Sequence, residues 1–122
     1  MNIQSKNEGQ KILLVENEPQ VQKIFARFLE ISGYSVVTAS DGLEGLEKIK
    51  SDSSIALVIT DLNMPHMDGK ELLQEARKIK PLLNSIVISG SISGEFVDIP
   101  ANKIIQKPIG LIDFTRIVKQ YI

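Results

Sequence analysis

The chain has 122 residues, 43% of them apolar and 24% charged, with a net charge of −1 at neutral pH. That length suits one domain with a single interior, and the balanced charge gives no electrostatic reason to expect nucleic acid or anionic lipid as a partner. With no cysteine there is no disulfide framework, thiol nucleophile or thiolate metal site, and no apolar run approaches the roughly 18 residues of a membrane span.

Met1 to Gln10 are polar, carry no apolar periodicity, and are expected to form a flexible N-terminal tail without the apolar centre of a signal peptide. Lys11–Val15 then reads as a strand ending in Glu16-Asn17-Glu18. Pro19 suits the first turn of a helix, in which Val21, Ile24, Phe25, Phe28, Leu29 and Ile31 recur at helical spacing until Gly33. Tyr34 to Ala39 predicts a second strand. Asp41-Gly42 turns the chain into a helix with Leu43, Leu46 and Ile49, in which a solvent-facing Gly45 would cost about 1 kcal/mol relative to alanine.

Ile55 to Thr60 is a β-branched and aliphatic run, the pattern of a strand covered on both faces, with Asp61 at its C-terminal end. A helix over Lys70–Lys80 places Leu72, Leu73, Ala76 and Ile79 on one face and stops near Pro81. Ser85–Ser89 and Lys103–Gln106 read as further strands, and a terminal helix from Leu111 carries Ile112, Phe114, Ile117, Val118 and Tyr121. Between those strands, Gly94 and Pro100 interrupt Ser91–Asn102, so a fourth helix there is expected to be short or distorted. Strands alternating with helices and joined by short links imply an α/β fold with a parallel sheet and helices on both faces.

In such a sheet the C-terminal strand ends share one rim, where ligands bind. Glu16, Asn17, Asp61, Ser89 and Lys107 all follow strand ends. Singly, each has an ordinary reading: Asp61 as a turn former, Lys107 as a solvated lysine, Glu16-Asn17-Glu18 as a helix-start cluster. Together they match one chemistry. Glu16, Asn17 and Asp61 offer hard oxygen ligands for magnesium. Lys107, Ser89 and the amides after Asp61 can serve the peripheral oxygens of a phosphoryl group attacked by the Asp61 carboxylate.

The chain resembles the receiver domains of two-component response regulators from Lys11 to Ile122. The resemblance rests on Ile12-Leu13-Leu14-Val15-Glu16-Asn17-Glu18-Pro19, on Asp61-Leu62-Asn63-Met64-Pro65-His66-Met67-Asp68-Gly69, and on Lys107-Pro108. It implies a five-stranded doubly wound, flavodoxin-like sheet of order 2-1-3-4-5. It also implies Asp61 as phosphoacceptor, with Ser89 and Lys107 contacting the phosphoryl group. Glu16, Asn17, Asp61 and the backbone carbonyl of Asn63 would then hold Mg2+. The implied partners are a sensor histidine kinase or histidine phosphotransfer protein and a downstream protein target, in the cytoplasm, with a homodimer left open. A cis Lys107–Pro108 bond is implied as well.

The chain departs from the family pattern at three places. Asn17 stands where a second acid is usual, which predicts weak magnesium binding or a preference for Mn2+. Ile104 replaces the aromatic residue that reports the switch, and the stretch from Ser89 to Lys107 is several residues shorter than usual. Asn17 also supports an alternative, a pseudo-receiver that binds partners without taking phosphate. An aspartyl phosphatase would need a second aspartate at the position of Asn63, and a flavin-binding loop would be repelled by Glu16 and Glu18. His66 reads as a solvated loop residue, and Asn63 and Ser91 as candidates for tuning phosphoryl lifetime. A stand-alone regulator and a receiver excised from a longer protein would look alike.

Overall fold

A computed structural model describes residues 9–90 and 98–122. Strand β1 (Lys11–Val15) leads to helix α1 (Pro19–Ile31), β2 (Ser35–Ala39), α2 (Gly42–Ser51), β3 (Ile55–Asp61), α3 (Gly69–Ile79) and β4 (Asn84–Ser89). Then come β5 (Lys103–Gln106) and α4 (Leu111–Val118). The sheet is five-stranded, parallel, and ordered β2-β1-β3-β4-β5, the order implied by the resemblance. The expected short or distorted helix after β4 falls largely on residues 91–97, outside the described residues, as does Ser91. Residues 98–102 that follow are irregular. Of the N-terminal tail only Gly9 and Gln10 are described, both exposed.

Two cores flank the sheet because strand side chains alternate between its faces. Leu13, Val15, Val58 and Val87 pack with Leu46 and Ile49 of α2 and with Leu72, Leu73 and Ala76 of α3. Ile12, Leu14, Leu57, Ile59, Ile86 and Ile88 pack with Leu29 of α1 and with Phe114 and Val118 of α4. The Phe25 and Phe114 rings tie α1 to α4 at a centroid distance of 4.7 Å.

The apolar faces read from helical spacing are narrower in the structure. Ile24, Ile31, Leu43, Ile79 and Ile112 are exposed, because a helix lying on a sheet buries only one stripe of its surface. Tyr121 packs against the core from a turn beyond the end of α4, not from the helix itself. Gly45 is buried, not solvent-facing. A Cβ there would lie 3.0 Å from Val15 Cγ2, so its role is close packing of α2 on β1.

Candidate functional site

Chain order and strand order together make the crevice. From β1 the chain moves outward to β2 at one edge, whereas from β3 it moves the other way to β4 and β5. The loops after β1 and β3 therefore diverge, leaving a gap at the C-terminal ends of these two central strands. Val15 is registered with Thr60, so Glu16 and Asp61 emerge side by side as the next residues. Asp61 is registered with Ile88, and Ser89 with Gln106, which puts Ser89 and Lys107 on the same rim.

Lys107 joins the acids. Its Nζ lies 3.2 Å from Asp61 Oδ2 and 3.4 Å from Glu16 Oε1. The carboxylates are shielded, with 12% and 5% of their side-chain surface exposed. Burial by itself disfavours the ammonium, but the charges of Asp61 and then Glu16, with their hydrogen bonds, outweigh it and raise the Lys107 pKa above the ordinary lysine value. The other carboxylate oxygens are also held. Leu62 N–H donates to Asp61 Oδ1 at 2.7 Å, and Glu18 N–H donates to Glu16 Oε2 at 3.0 Å. Ser89 is fully buried at the end of β4, and its carbonyl accepts from Lys107 N–H at 2.7 Å. The Lys107–Pro108 peptide is cis, as the resemblance implies.

The loop after Asp61 is closed by short-range bonds. Gly69 N–H donates to Leu62 O at 2.7 Å, and Asp68 caps α3 in a reciprocal box with Glu71. A Cβ on Gly69 would lie 2.3 Å from Asp61 O, so only glycine lets α3 start this close to the end of β3. His66 adopts a positive φ of 71°. Its exposed ring sits with Nδ1 3.0 Å from Asp41 Oδ2, on the N-cap of α2, a partner that sequence reading did not find. That bond and the cap bond from Glu44 N–H hold the Asp41 carboxyl below the usual range, the Glu44 bond contributing more.

The site residues read from the sequence thus separate into two groups. Asp61, Glu16 and Lys107 meet directly, with Ser89 buried beside them, whereas Asn17 and Asn63 are exposed on the two loops that flank the crevice. Two carboxylates converging on one cation, with amide and carbonyl oxygens on the flanking loops, form a donor set that fits magnesium, which takes oxygen ligands and keeps several waters. Among the described residues no group of three or more acidic, histidine or cysteine side chains is poised to hold a metal. A separate cleft of about 670 Å3, lined by Lys80, Leu82 and Tyr121 among others, carries none of these residues. Among the described residues no helix is long and apolar enough to cross a membrane.

Gln22 is the site-associated residue that sequence reading missed. Its side-chain amide reaches the carbonyls of Glu16 and Ala39, a contact without any signal in spacing or composition.

The family description "Response regulator receiver domain" matches residues 12–119. The chain is 30% identical over 122 residues to the transcription factor SKN7 of Chaetomium thermophilum, covering 96% of this chain and 16% of that protein. It is 35% identical over 114 residues to the sensor kinase CckA of Brucella abortus, covering 89% and 12%. The chain therefore spans less than a fifth of either curated relative. The response regulator TrrA of Thermotoga maritima, solved with Mg2+ and BeF, superposes with a TM-score of 0.84 at 29% identity, covering 93% of this chain and 99% of that one. With this match over nearly its whole length, and with the 2-1-3-4-5 sheet that carries its acidic crevice, the chain belongs to the response regulator receiver domains of two-component systems.

Proposed function

We propose that this receiver is a phosphorylation-dependent signalling switch in which Asp61 accepts a phosphoryl group. The donor is a phosphohistidine on a sensor histidine kinase or a histidine phosphotransfer protein. The observation that carries the reading is the shielded meeting of Asp61, Glu16 and Lys107, with Nζ at 3.2 and 3.4 Å from the two carboxylates. A structural ion pair needs one acid, whereas a phosphoryl acceptor needs a carboxylate nucleophile and fixed positive charge for the transferred oxygens.

In the proposed step an Asp61 carboxylate oxygen bonds to phosphorus as the phosphorus–nitrogen bond of the donor breaks. The leaving imidazole keeps the electron pair, and the product is an acyl phosphate. Lys107 neutralises one peripheral oxygen as its contacts to the carboxylates loosen. The Ser89 hydroxyl and the amides following Asp61 donate to the others. Magnesium, when bound, would be held by Glu16, Asp61, the Asn17 side-chain oxygen and the Asn63 carbonyl, and would neutralise charge on the transferring group. Water later cleaves the acyl phosphate, so the domain regulates its own signal without a turnover substrate.

Intact-protein mass spectrometry after incubation with acetyl phosphate and magnesium tests this. The expected result is one phosphoryl adduct on the parent protein and none on Asp61→Asn. An adduct that persists in Asp61→Asn, or none on the parent at any magnesium concentration, would overturn the proposal. The second of these outcomes is what a pseudo-receiver would give.

A further inference from the structure

We propose that Gln22, one turn into α1, is a positioning residue that presents Asn17 to the cation without touching the cation or the phosphoryl group. The inference rests on the reading of the crevice given above. The two hydrogens of the Gln22 side-chain amide are both used: Nε2 donates to Glu16 O at 3.0 Å and to Ala39 O at 3.0 Å. Its backbone N–H donates to Glu18 O at 2.9 Å. The Ala39 carbonyl also accepts from Glu16 N–H at 3.0 Å. One side chain thus ties α1 to the C-terminal ends of both β1 and β2.

The consequence falls on the residue between these anchors. Two peptide planes flank Asn17. The plane before it contains the Glu16 carbonyl, held by Gln22. The plane after it contains the Glu18 N–H, held by the Glu16 carboxylate at 3.0 Å. Fixing both planes fixes the two soft dihedrals of Asn17, although its side chain is exposed. A neutral amide oxygen attracts a divalent cation far less than a carboxylate would. What the held backbone can contribute is a preset direction of the Asn17 Cα–Cβ bond, so that only side-chain rotamers, and no main chain, remain to be ordered when the ion arrives. Losing the Gln22 amide frees the Glu16–Asn17 plane and removes that preset direction.

The test compares the full chain with Gln22→Met, which keeps the length of the side chain and removes both donors, and with Gln22→Arg, whose guanidinium fork can again donate to two oxygens. Amide hydrogen exchange is measured on the metal-free proteins, magnesium binding by amide chemical shifts of residues 16–18 and 61–63, and unfolding by temperature. In Gln22→Met, exchange at Glu16 and Glu18 should quicken about three- to tenfold, the scale of one lost hydrogen bond. The magnesium midpoint should rise by a similar factor, while phosphorylation at saturating magnesium stays within about twofold of the parent. Gln22→Arg should retain slow exchange.

A Gln22→Met protein that melts lower but keeps the parent's exchange and magnesium midpoint would overturn the proposal and leave Gln22 a helix support. So would a Gln22→Arg protein that exchanges as fast as Gln22→Met, or a parent without any response to magnesium. Should the parent bind magnesium yet take no phosphoryl group, only the proposed function fails, because exchange and cation binding still report on Gln22.

Discussion

Lys107 Nζ lies 3.2 Å from Asp61 Oδ2 although the two residues are 46 positions apart in the chain. The same ammonium meets Glu16 at 3.4 Å, so one lysine offsets two carboxylates whose side chains are largely shielded. Removing it leaves both acids facing each other.

Lys107→Met should therefore destabilise the fold by about 1–3 kcal/mol at pH 7, less than for a fully buried pair because the lysine is 24% exposed. Millimolar magnesium should narrow the gap, since Asp61 and Glu16 without the competing ammonium should bind the cation more tightly than in the parent, and tighter binding to the folded state stabilises it more. The pH dependence has a definite sign. The Lys107 pKa is raised on folding, so its contribution is complete below the ordinary lysine value of 10.5 and is lost as pH climbs through the raised one. Urea unfolding of both proteins across pH and magnesium checks this. Equal stabilities at pH 7 without magnesium would refute it.

Asn17→Asp should tighten magnesium binding. The added ligand charge is worth roughly 1–4 kcal/mol before desolvation is subtracted, so a gain of about threefold or more in affinity is expected. The parent should need more magnesium than the variant for half-maximal phosphorylation, or should prefer manganese. Calorimetric titration of the two proteins decides it, and identical affinities would remove Asn17 from the cation site.

Gly69→Ala should cost about 2–3 kcal/mol, the upper part of the range for overpacking. The added Cβ would stand 2.3 Å from Asp61 O and 3.0 Å from Leu62 Cα, both of them backbone atoms that move only if the end of β3 moves. Denaturant unfolding measures the loss, and a change under 0.5 kcal/mol (roughly the scatter of a neutral surface substitution) would show that the loop absorbs the methyl group freely.

Away from the crevice, Asp52 accepts from Ser54 N–H at 3.0 Å and from the Ser54 hydroxyl, and pairs with Lys11 Nζ at 3.0 Å. The Ser54 hydroxyl and Lys11 bonds lower its pKa to about 2. A carboxyl whose pKa falls on folding stabilises the protein above its unfolded value and loses that contribution as pH drops through the folded one. The stability difference between the parent and Asp52→Asn should thus shrink between about pH 4 and pH 2. Acid titration followed by circular dichroism, with Lys11→Met as a control for the ion pair, reads it. A difference that is constant over that window would exclude Asp52 from the acid response.

The alternation of β-branched runs with helical spacing was sufficient to define an α/β chain with strands ending at Glu16, Asp61, Ser89 and Lys107. These patterns are local: a strand buried on both faces and a helix with an apolar stripe each carry their own period. The Asp61-Leu62-Asn63-Met64-Pro65-His66-Met67-Asp68-Gly69 segment carried the family resemblance for the same reason, since it holds the nucleophile and the turn chemistry of its own loop. The tertiary structure alone decided which helical residues lie inside, leaving Ile24, Leu43 and Ile112 exposed and Gly45 buried against Val15. It alone found His66 a partner in Asp41 and gave the Gln22 amide its two carbonyls. Such contacts join elements brought together by the order in which parallel strands pair, and that order places residues far apart in the chain within hydrogen-bond reach without leaving any period in the sequence.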